Sequence, residues 1–232
     1  MSDKTAVSVE CRLDPAVQAD VLLGLVWAEP VKIAPGGQEL QGEIAALCER
    51  LRAEHAGKKP SEIPGTAPAR ALYRAFGIDP TRTRPSSEAL LRRVLAGKPF
   101  PCISNAVDLC NFVALRWLLS LGLYDADKIE GPAVLRRGRP GESFAGIRKD
   151  EVHVEGRITL ADARGPFGNP SSDSLRTAVG EATHSLWMVI FAPSGYPREL
   201  MQQHVVEART MMTRHLALPG GQTRSVGDLL PR

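Results

Sequence analysis

Aromatic side chains are scarce in this sequence of 232 residues, at 5% of the total, so aliphatic packing must carry the core. Long apolar runs are missing as well. The longest, 109–123, is interrupted by Asn111, Arg116 and Ser120 and is too short to cross a bilayer. The N-terminal residues MSDKTAVSVE lack the apolar segment that a signal peptide needs. We therefore expect a protein that stays in the cytoplasm and has no membrane partner.

Paired metal ligands and nucleophile motifs are also missing. No CxxC pair, no HExxH motif, no GxSxG elbow and no phosphate-binding P-loop occurs in the sequence. Free cysteines far apart in the chain behave as small hydrophobic residues, and we expect this of Cys11, Cys48, Cys102 and Cys110. The sequence therefore predicts no metal and no cofactor. The net charge of +3 permits a nucleic-acid partner without requiring one.

The pattern of apolar residues predicts an α+β fold in which a mixed sheet is flanked by helices. Helices are predicted over 38–56, 67–76, 85–95, 104–121 and 198–217. Strands are predicted over 5–13 and 21–27 and in short runs after Gly122, which end with SLWMVIFAP. We expect one domain over 1–218, in which residues 1–60 belong to the same unit, and a loose tail over 219–232.

Two segments of the chain carry a family resemblance. The first, 73–142, contains in order the helix NAVDLCNFVAL, the turn YDADKIEG and a hairpin ending in GES; the second is VGEATHSLWMVIFAP. Both resemble the B3/4 domain of the phenylalanyl-tRNA synthetase β subunit, and above all its free-standing versions. The resemblance implies a layered α/β domain whose pocket holds a mischarged amino acid esterified to tRNA, where water hydrolyses the ester.

The sequence departs from the synthetase pattern at two places. The synthetase has a His two positions before an aromatic-Asp pair, whereas Gly122 stands there before Tyr124 and Asp125. The synthetase also has a Glu just after a Phe-Gly turn. Here the turn FGNP, 167–170, is followed by SSDSLRT, and Asp173 is an approximate substitute for that Glu.

Asp108 and Asn111 are polar residues within an otherwise apolar predicted helix. Their i, i+3 spacing places them on one helix face, where buried polar groups must find partners. One interpretation is structural, in which they hold a neighbouring loop or strand. The other is that they organise a pocket and, together with Asp173, position the water that attacks the ester.

The segment 165–177, GPFGNPSSDSLRT, is rich in hydroxyl and charged groups behind a Gly-Pro turn. Such a loop can offer hydroxyls, backbone N–H groups and a guanidinium to a ligand. We expect the aminoacyl end of tRNA to be held by Asn169, Ser172, Ser174, Arg176 and Thr177. The alternative is a solvated connection in which these residues cap turns.

Arginines near the predicted helix 85–95 are the candidate contacts to tRNA phosphates, namely Arg84, Arg92 and Arg93. The N–H groups at the start of that helix can hold an anion, although an ordinary helix cap explains the same residues. Further arginines at 136, 137, 139 and 148 extend a basic surface or are simply solvated.

Three functional hypotheses follow. The first is a trans-acting hydrolase that deacylates mischarged tRNA at its aminoacylated 3′ end without a metal. The second is a non-catalytic module of the same fold that binds tRNA or an amino acid, which the glycine at position 122 favours. The third and weakest is an enzyme that acts on a small molecule unrelated to tRNA. The sequence indicates no particular oligomeric state.

Overall fold

The computed structural model describes the backbone of residues 10–147 and 151–229 and, within these ranges, the side chains as far as residue 223. The beginning of the predicted strand 5–13 and Arg148 lie outside the described residues. The helices are α1 (Gln38–Glu54), α2 (Ala67–Ala75), α3 (Ser86–Leu95), α4 (Asn105–Trp117) and α5 (Arg198–His215). Within the described residues, no helix combines the length and apolar composition that a bilayer crossing requires.

The strands form two larger sheets and a small hairpin. They are β1 (Cys11–Leu13), β2 (Val21–Val31), β3 (Ser120–Asp125), β4 (Ala133–Arg137), β5 (Ser143–Ala145), β6 (Glu151–His153), β7 (Ile158–Asp162), β8 (Gly165–Asn169), β9 (Ser172–Asp173), β10 (Leu186–Pro193) and β11 (Ala217–Leu229). An antiparallel sheet has the order β11-β2-β10-β3, and a mixed sheet has the order β1-β4-β7-β8-β9, in which β1 and β4 are parallel. The predicted α+β class is confirmed.

The antiparallel sheet is buried on both faces, and its central strand β10 explains how. Leu186, Met188 and Ile190 pack on the helical side, whereas Trp187 and Val189 pack toward the mixed sheet. Alternate side chains of a strand point to opposite faces, so a continuous apolar run is needed where both faces are covered. The helices α1, α3, α4 and α5 therefore form one layer, and the mixed sheet with α2 forms the other.

Two of the differences from the sequence prediction have a clear structural reason. Helix α4 ends at Trp117, because Leu118 adopts a left-handed conformation (φ 55°) and the chain turns into β3 at Ser120. Short apolar runs such as LLSLGL fit a helix or a strand equally well, so spacing alone could not place this end. The predicted loose tail is wrong for 219–229, which lie in β11 and pair with the free edge of β2.

Candidate functional site

A cavity of about 390 Å³ lies between α4, β3 and the turn that connects β8 to β9. Its volume is within the range of small-molecule sites. Its lining is Ser86, Ile103, Val107, Cys110, Asn111, Ala114, Leu121, Leu123, Ile147, Pro170, Ser171, Ser172, Asp173, Ala178 and Val179. Most of these side chains are apolar, and the polar ones come mainly from one segment, 171–173.

One face of α4 supplies a wall of the cavity. Val107, Cys110, Asn111 and Ala114 recur at the helical spacing of three and four residues, so they lie along a single stripe. Leu121 and Leu123 extend this surface from β3. Asn111 is thus the one polar group of the stripe, at the edge of a mainly apolar surface.

The opposite wall is a turn held by side-chain hydrogen bonds. Asn169 Oδ1 accepts hydrogen bonds from the backbone N–H and the hydroxyl of Ser171, both at 2.8 Å. Asparagine commonly closes a turn in this way. The buried Tyr73 hydroxyl donates to the carbonyl of Pro170 at 3.0 Å. These contacts fix the turn so that β9, with Asp173, borders the cavity.

The structure brings some predicted site residues together and separates others from them. Asn111, Ser172 and Asp173 line the same cavity, so the predicted helix and the hydroxyl-rich loop do meet there. The remaining candidates are not among its lining residues: Asp108, Asn169, Ser174, Arg176 and Thr177. Their hydrogen bonds and burial show what they do instead.

Asp108 holds the loop that precedes α4. Its carboxylate accepts a hydrogen bond from the Ile103 backbone N–H at 2.8 Å and another from the Gln41 side chain at 3.1 Å. The side chain is buried, and a Cβ at Gly36 would lie only 2.9 Å from Oδ2. These contacts support the structural interpretation of Asp108, whose carboxylate is directed to the loop and to α1 and is not part of the cavity lining.

Arg176 and its neighbours likewise stabilise the loop. The two terminal nitrogens of Arg176 each donate to a carboxylate oxygen of Asp162 at 2.9 Å, a geometry that suits the planar guanidinium. Ser174 Oγ accepts the Arg176 backbone N–H at 3.1 Å, and Thr177 is fully buried. These three residues therefore do not contact the cavity, in contrast to the prediction that they hold the substrate.

Asp173 is the one charged side chain in the described lining of the cavity. Burial raises the pKa of the Cys110 thiol far above its usual range, and the Asp173 charge adds to this effect. Only the thiolate is a good nucleophile, so Cys110 cannot serve as one at neutral pH. Among the described residues, no group of three or more His, Cys, Asp or Glu could hold a metal ion. The chemistry available to the cavity's own side chains is that of a carboxylate, an amide and hydroxyls.

The candidate tRNA-contacting arginines lie on or beside α3, whose first residue, Ser86, lines the cavity. Arg92 and Arg93 are exposed near the last turn of this helix. Arg84 precedes the helix, and its Nε lies 3.6 Å from the buried Glu88 carboxylate. Arg92 and Arg93 thus lie on the helix that borders the cavity, Arg84 lies just before it, and all three are exposed.

The model of the B3/4 domain family matches residues 68–204, which is more than half of the chain. The chain belongs to the B3/4 domain family. The matched range extends from α2 into α5 and includes every residue that lines the cavity. The family resemblance inferred from the sequence is confirmed.

Relatives of this B3/4 domain occur within larger proteins. It is 34% identical over 115 residues to the phenylalanine–tRNA ligase beta subunit of Nocardia farcinica, a match that covers 49% of this chain and 13% of that subunit. The corresponding subunit of Bifidobacterium longum is 33% identical over 81 residues, or 34% of this chain and 9% of the subunit. The matches thus span only a small part of these relatives.

A solved structure is also similar to this B3/4 domain. It is an N-terminal fragment of the phenylalanyl-tRNA synthetase beta-subunit from Pyrococcus horikoshii. The TM-score is 0.44 and the sequence identity 14%, with 95% of this chain and 55% of the fragment covered.

Sequence reasoning missed two tyrosines beside the cavity, Tyr73 and Tyr124. Tyr73 holds the Pro170 carbonyl, whereas the ring of Tyr124 lies against the backbone of Gly122 and Gly168. Glycine inside a strand often marks a place where another group approaches the backbone closely. The glycines at 122 and 168 are therefore the signal in the sequence that points to a group close to the backbone.

Proposed function

We propose that this B3/4 domain hydrolyses the ester bond of mischarged aminoacyl-tRNA in trans. The observation that supports the proposal is the cavity in which Asn111, Ser172 and Asp173 meet above an apolar surface. A cavity of about 390 Å³ has room for an aminoacyl group, and it is built entirely from this chain. The matched relatives are phenylalanine–tRNA ligase beta subunits, which makes an aminoacylated tRNA the fitting class of substrate. A tRNA substrate would also be consistent with the expected location of the protein in the cytoplasm.

The polar wall and the apolar surface have separate roles in the proposed reaction. The amino-acid side chain lies against Cys110, Ala114 and Leu121, and the ester carbonyl faces Asn111. Asp173 accepts a proton from a water molecule as the water oxygen bonds to the carbonyl carbon. The bond from that carbon to the 3′-terminal ribose oxygen then breaks, and the ribose oxygen takes up the proton. The products are the free amino acid and the uncharged tRNA.

The side chains in the cavity are sufficient for an ester that is already reactive. Positioning of water against the carbonyl replaces an encounter in solution, which alone accounts for a large part of many enzymatic accelerations. One well-placed amide donor to the developing oxyanion contributes roughly a hundredfold or more. The Asn111 amide can supply this donor, and Asp173 supplies the general base.

The decisive experiment is a deacylation assay with a panel of mischarged tRNAs. We expect hydrolysis of at least one of them by the wild-type chain and a loss of about a hundredfold in Asp173→Asn. Glu49→Gln on the exposed side of α1 is the matched control and should retain the wild-type rate. Full activity of Asp173→Asn would exclude the proposed base.

A binding module without turnover is the second candidate. It is favoured by the lack of a side chain at Gly122 and by the pairing of Arg176 with Asp162, which leave Asp173 as the one charged group in the described lining. The same assay separates the two functions. Tight, salt-sensitive binding of tRNA by the wild-type chain, with no tRNA in the panel deacylated, would establish the module and exclude the hydrolase.

A further inference from the structure

The ring of Tyr124 lies over the backbone of two glycines. Gly122 precedes it by two residues on the same face of β3, and Gly168 belongs to β8 in the mixed sheet. A Cβ at Gly122 would lie 2.2 Å from the Tyr124 hydroxyl oxygen, and a Cβ at Gly168 would lie 2.3 Å from it. Such distances are impossible for real side chains, so the phenol occupies space that both glycines leave open.

The position of the phenol is also fixed from its other sides. The Tyr124 side chain is completely buried, and its ring meets Phe167 edge-on, with 5.1 Å between centroids. The Trp187 ring lies 6.0 Å away on the neighbouring strand β10. A large aromatic ring enclosed in this way has little freedom to rotate, so its hydroxyl is held at one place between the two sheets.

The Asp173 carboxylate lies beside this hydroxyl. Asp173 pairs directly with Gly168 across β8 and β9, and the same carboxylate lines the cavity. Burial raises the pKa of Tyr124 well above its usual range, and the charge of Asp173 and a hydrogen bond to it raise it further. The phenol therefore keeps its proton at ordinary pH values and faces the carboxylate as a hydrogen-bond donor.

We propose that Tyr124 is a positioning residue, whose hydroxyl holds the Asp173 carboxylate in place at the edge of the cavity. This inference rests on the proposed function, because the held carboxylate is the proposed base. The proposal also explains why position 122 is a glycine. The phenol of Tyr124 occupies the space that a side chain at position 122 would need.

Few other titratable groups face the phenol. Cys110 of α4 and Cys11 of β1 act on it electrostatically, and burial raises the pKa of both thiols, that of Cys11 to about 12. Both are therefore neutral over the range in which an enzyme is assayed. Asp173 is the carboxyl group among these neighbours, so we expect an effect of Tyr124 on the acidic limb of a rate profile to act through it.

The test is Tyr124→Phe, which removes one oxygen atom and keeps the ring. We expect a roughly tenfold slower deacylation, since a less well-held base is less often aligned. The acidic limb of the pH–rate profile should also move to higher pH, because a hydrogen bond to the carboxylate form is lost. Tyr196→Phe is the matched control. Its hydroxyl contacts His204 at 2.9 Å, outside the lining of the cavity, and it should change neither quantity.

A second readout is independent of catalysis. NMR can follow the titration of the Asp173 carboxyl group through the chemical shift of its carboxyl carbon. The measurement is made on the wild-type chain and on Tyr124→Phe, with Tyr196→Phe as control. We expect a higher titration midpoint in Tyr124→Phe alone. Equal midpoints in all three proteins would overturn the proposed contact. If the wild-type chain deacylates no tRNA, the proposed function fails, and this titration still decides whether Tyr124 holds Asp173.

Discussion

The Arg176 guanidinium binds the carboxylate of Asp162 through two parallel hydrogen bonds of 2.9 Å. The Asp162 side chain has no exposed surface, and that of Arg176 is 20% exposed. The pair therefore joins β7 to the segment that follows β9, and so holds the wall of the cavity from behind. Arg176, which the sequence suggests as a ligand-binding residue, thus connects two segments of the fold through Asp162.

Removal of one partner of this pair should therefore affect stability more than chemistry. We expect Arg176→Ala to lower the free energy of unfolding by about 2–3 kcal/mol, since the buried Asp162 carboxylate loses the guanidinium and keeps the backbone N–H donors of Glu130 and Arg164. Unfolding by urea or by heat measures this change in stability. Arg164→Ala, which removes an exposed ion pair with Glu130, is the control and should cost less than about 1 kcal/mol. Equal losses in both variants would contradict this role.

Asp108 and Asn111 are expected to respond in opposite ways to the same substitution. Asp108→Ala leaves the Ile103 N–H and the Gln41 amide without their acceptor and should cost about 1–3 kcal/mol of stability. Its deacylation rate per folded molecule should stay within about twofold of wild type. Asn111→Ala should keep most of the stability and lose at least about tenfold in rate. Loss of activity in a fully stable Asp108→Ala would contradict the assignment.

This contrast shows where sequence reasoning succeeded and where it stopped. The i, i+3 spacing correctly places Asp108 and Asn111 on neighbouring positions of α4, and the cavity does receive Asn111. Spacing along a helix, however, tells only on which face of the helix a side chain lies and does not tell which residues pack against that face. It could not show that Gln41 and the loop before α4 cover Asp108 while the 170–173 turn approaches Asn111. Such contacts between distant segments arise only from the tertiary fold.

The strands also show that local sequence predicts an element only when its own residues decide it. The run around β10 was recognisable because an apolar stretch of that length fits a strand covered on both sides. The strand β11 was not recognisable. Its residues include polar and glycine positions typical of a loop, and its order depends on the free hydrogen-bonding edge of β2. Local sequence carries no information about an edge that is formed far away in the chain.

The arginines of α3 predict a salt effect on tRNA binding. If Arg92 and Arg93 each neutralise a phosphate, the double variant with both changed to Gln should weaken tRNA binding. It should also reduce the slope of log affinity against log salt by about 1.5. The affinity measured between low and moderate salt gives this slope. Arg50→Gln on α1 is the matched control, because Arg50 is an exposed arginine on a helix outside the cavity lining. An unchanged slope in the double variant would show that these two residues do not contact the nucleic acid.

His204 predicts a loss of stability in acid. Burial lowers its pKa to about 4, and its ring stacks on Trp117 at 4.5 Å and contacts the Tyr196 hydroxyl. The unfolded chain, with an ordinary histidine pKa near 6.5, binds more protons between these values. The free energy of unfolding should therefore fall as the pH drops from about 6.5 to 4. The expected loss is roughly 1–2 kcal/mol once the partial access of water to the ring is allowed for. Urea titrations at several pH values measure it, and His204→Gln should flatten this part of the profile.

Gly122→His restores the residue type of the synthetase pattern and should nevertheless disable this domain. The new Cβ would lie 2.2 Å from the Tyr124 hydroxyl and 2.6 Å from the ring carbon that carries it, and the enclosed ring has no space in which to retreat. We expect a loss of about 1–3 kcal/mol or more in stability, together with displacement of Asp173 and slower deacylation. Gly42→Ala, in open space on the exposed surface of α1, is the control and should be neutral or stabilising. A Gly122→His protein as stable and active as wild type would show that Tyr124 can leave its place, and with it the reason for a glycine at this position.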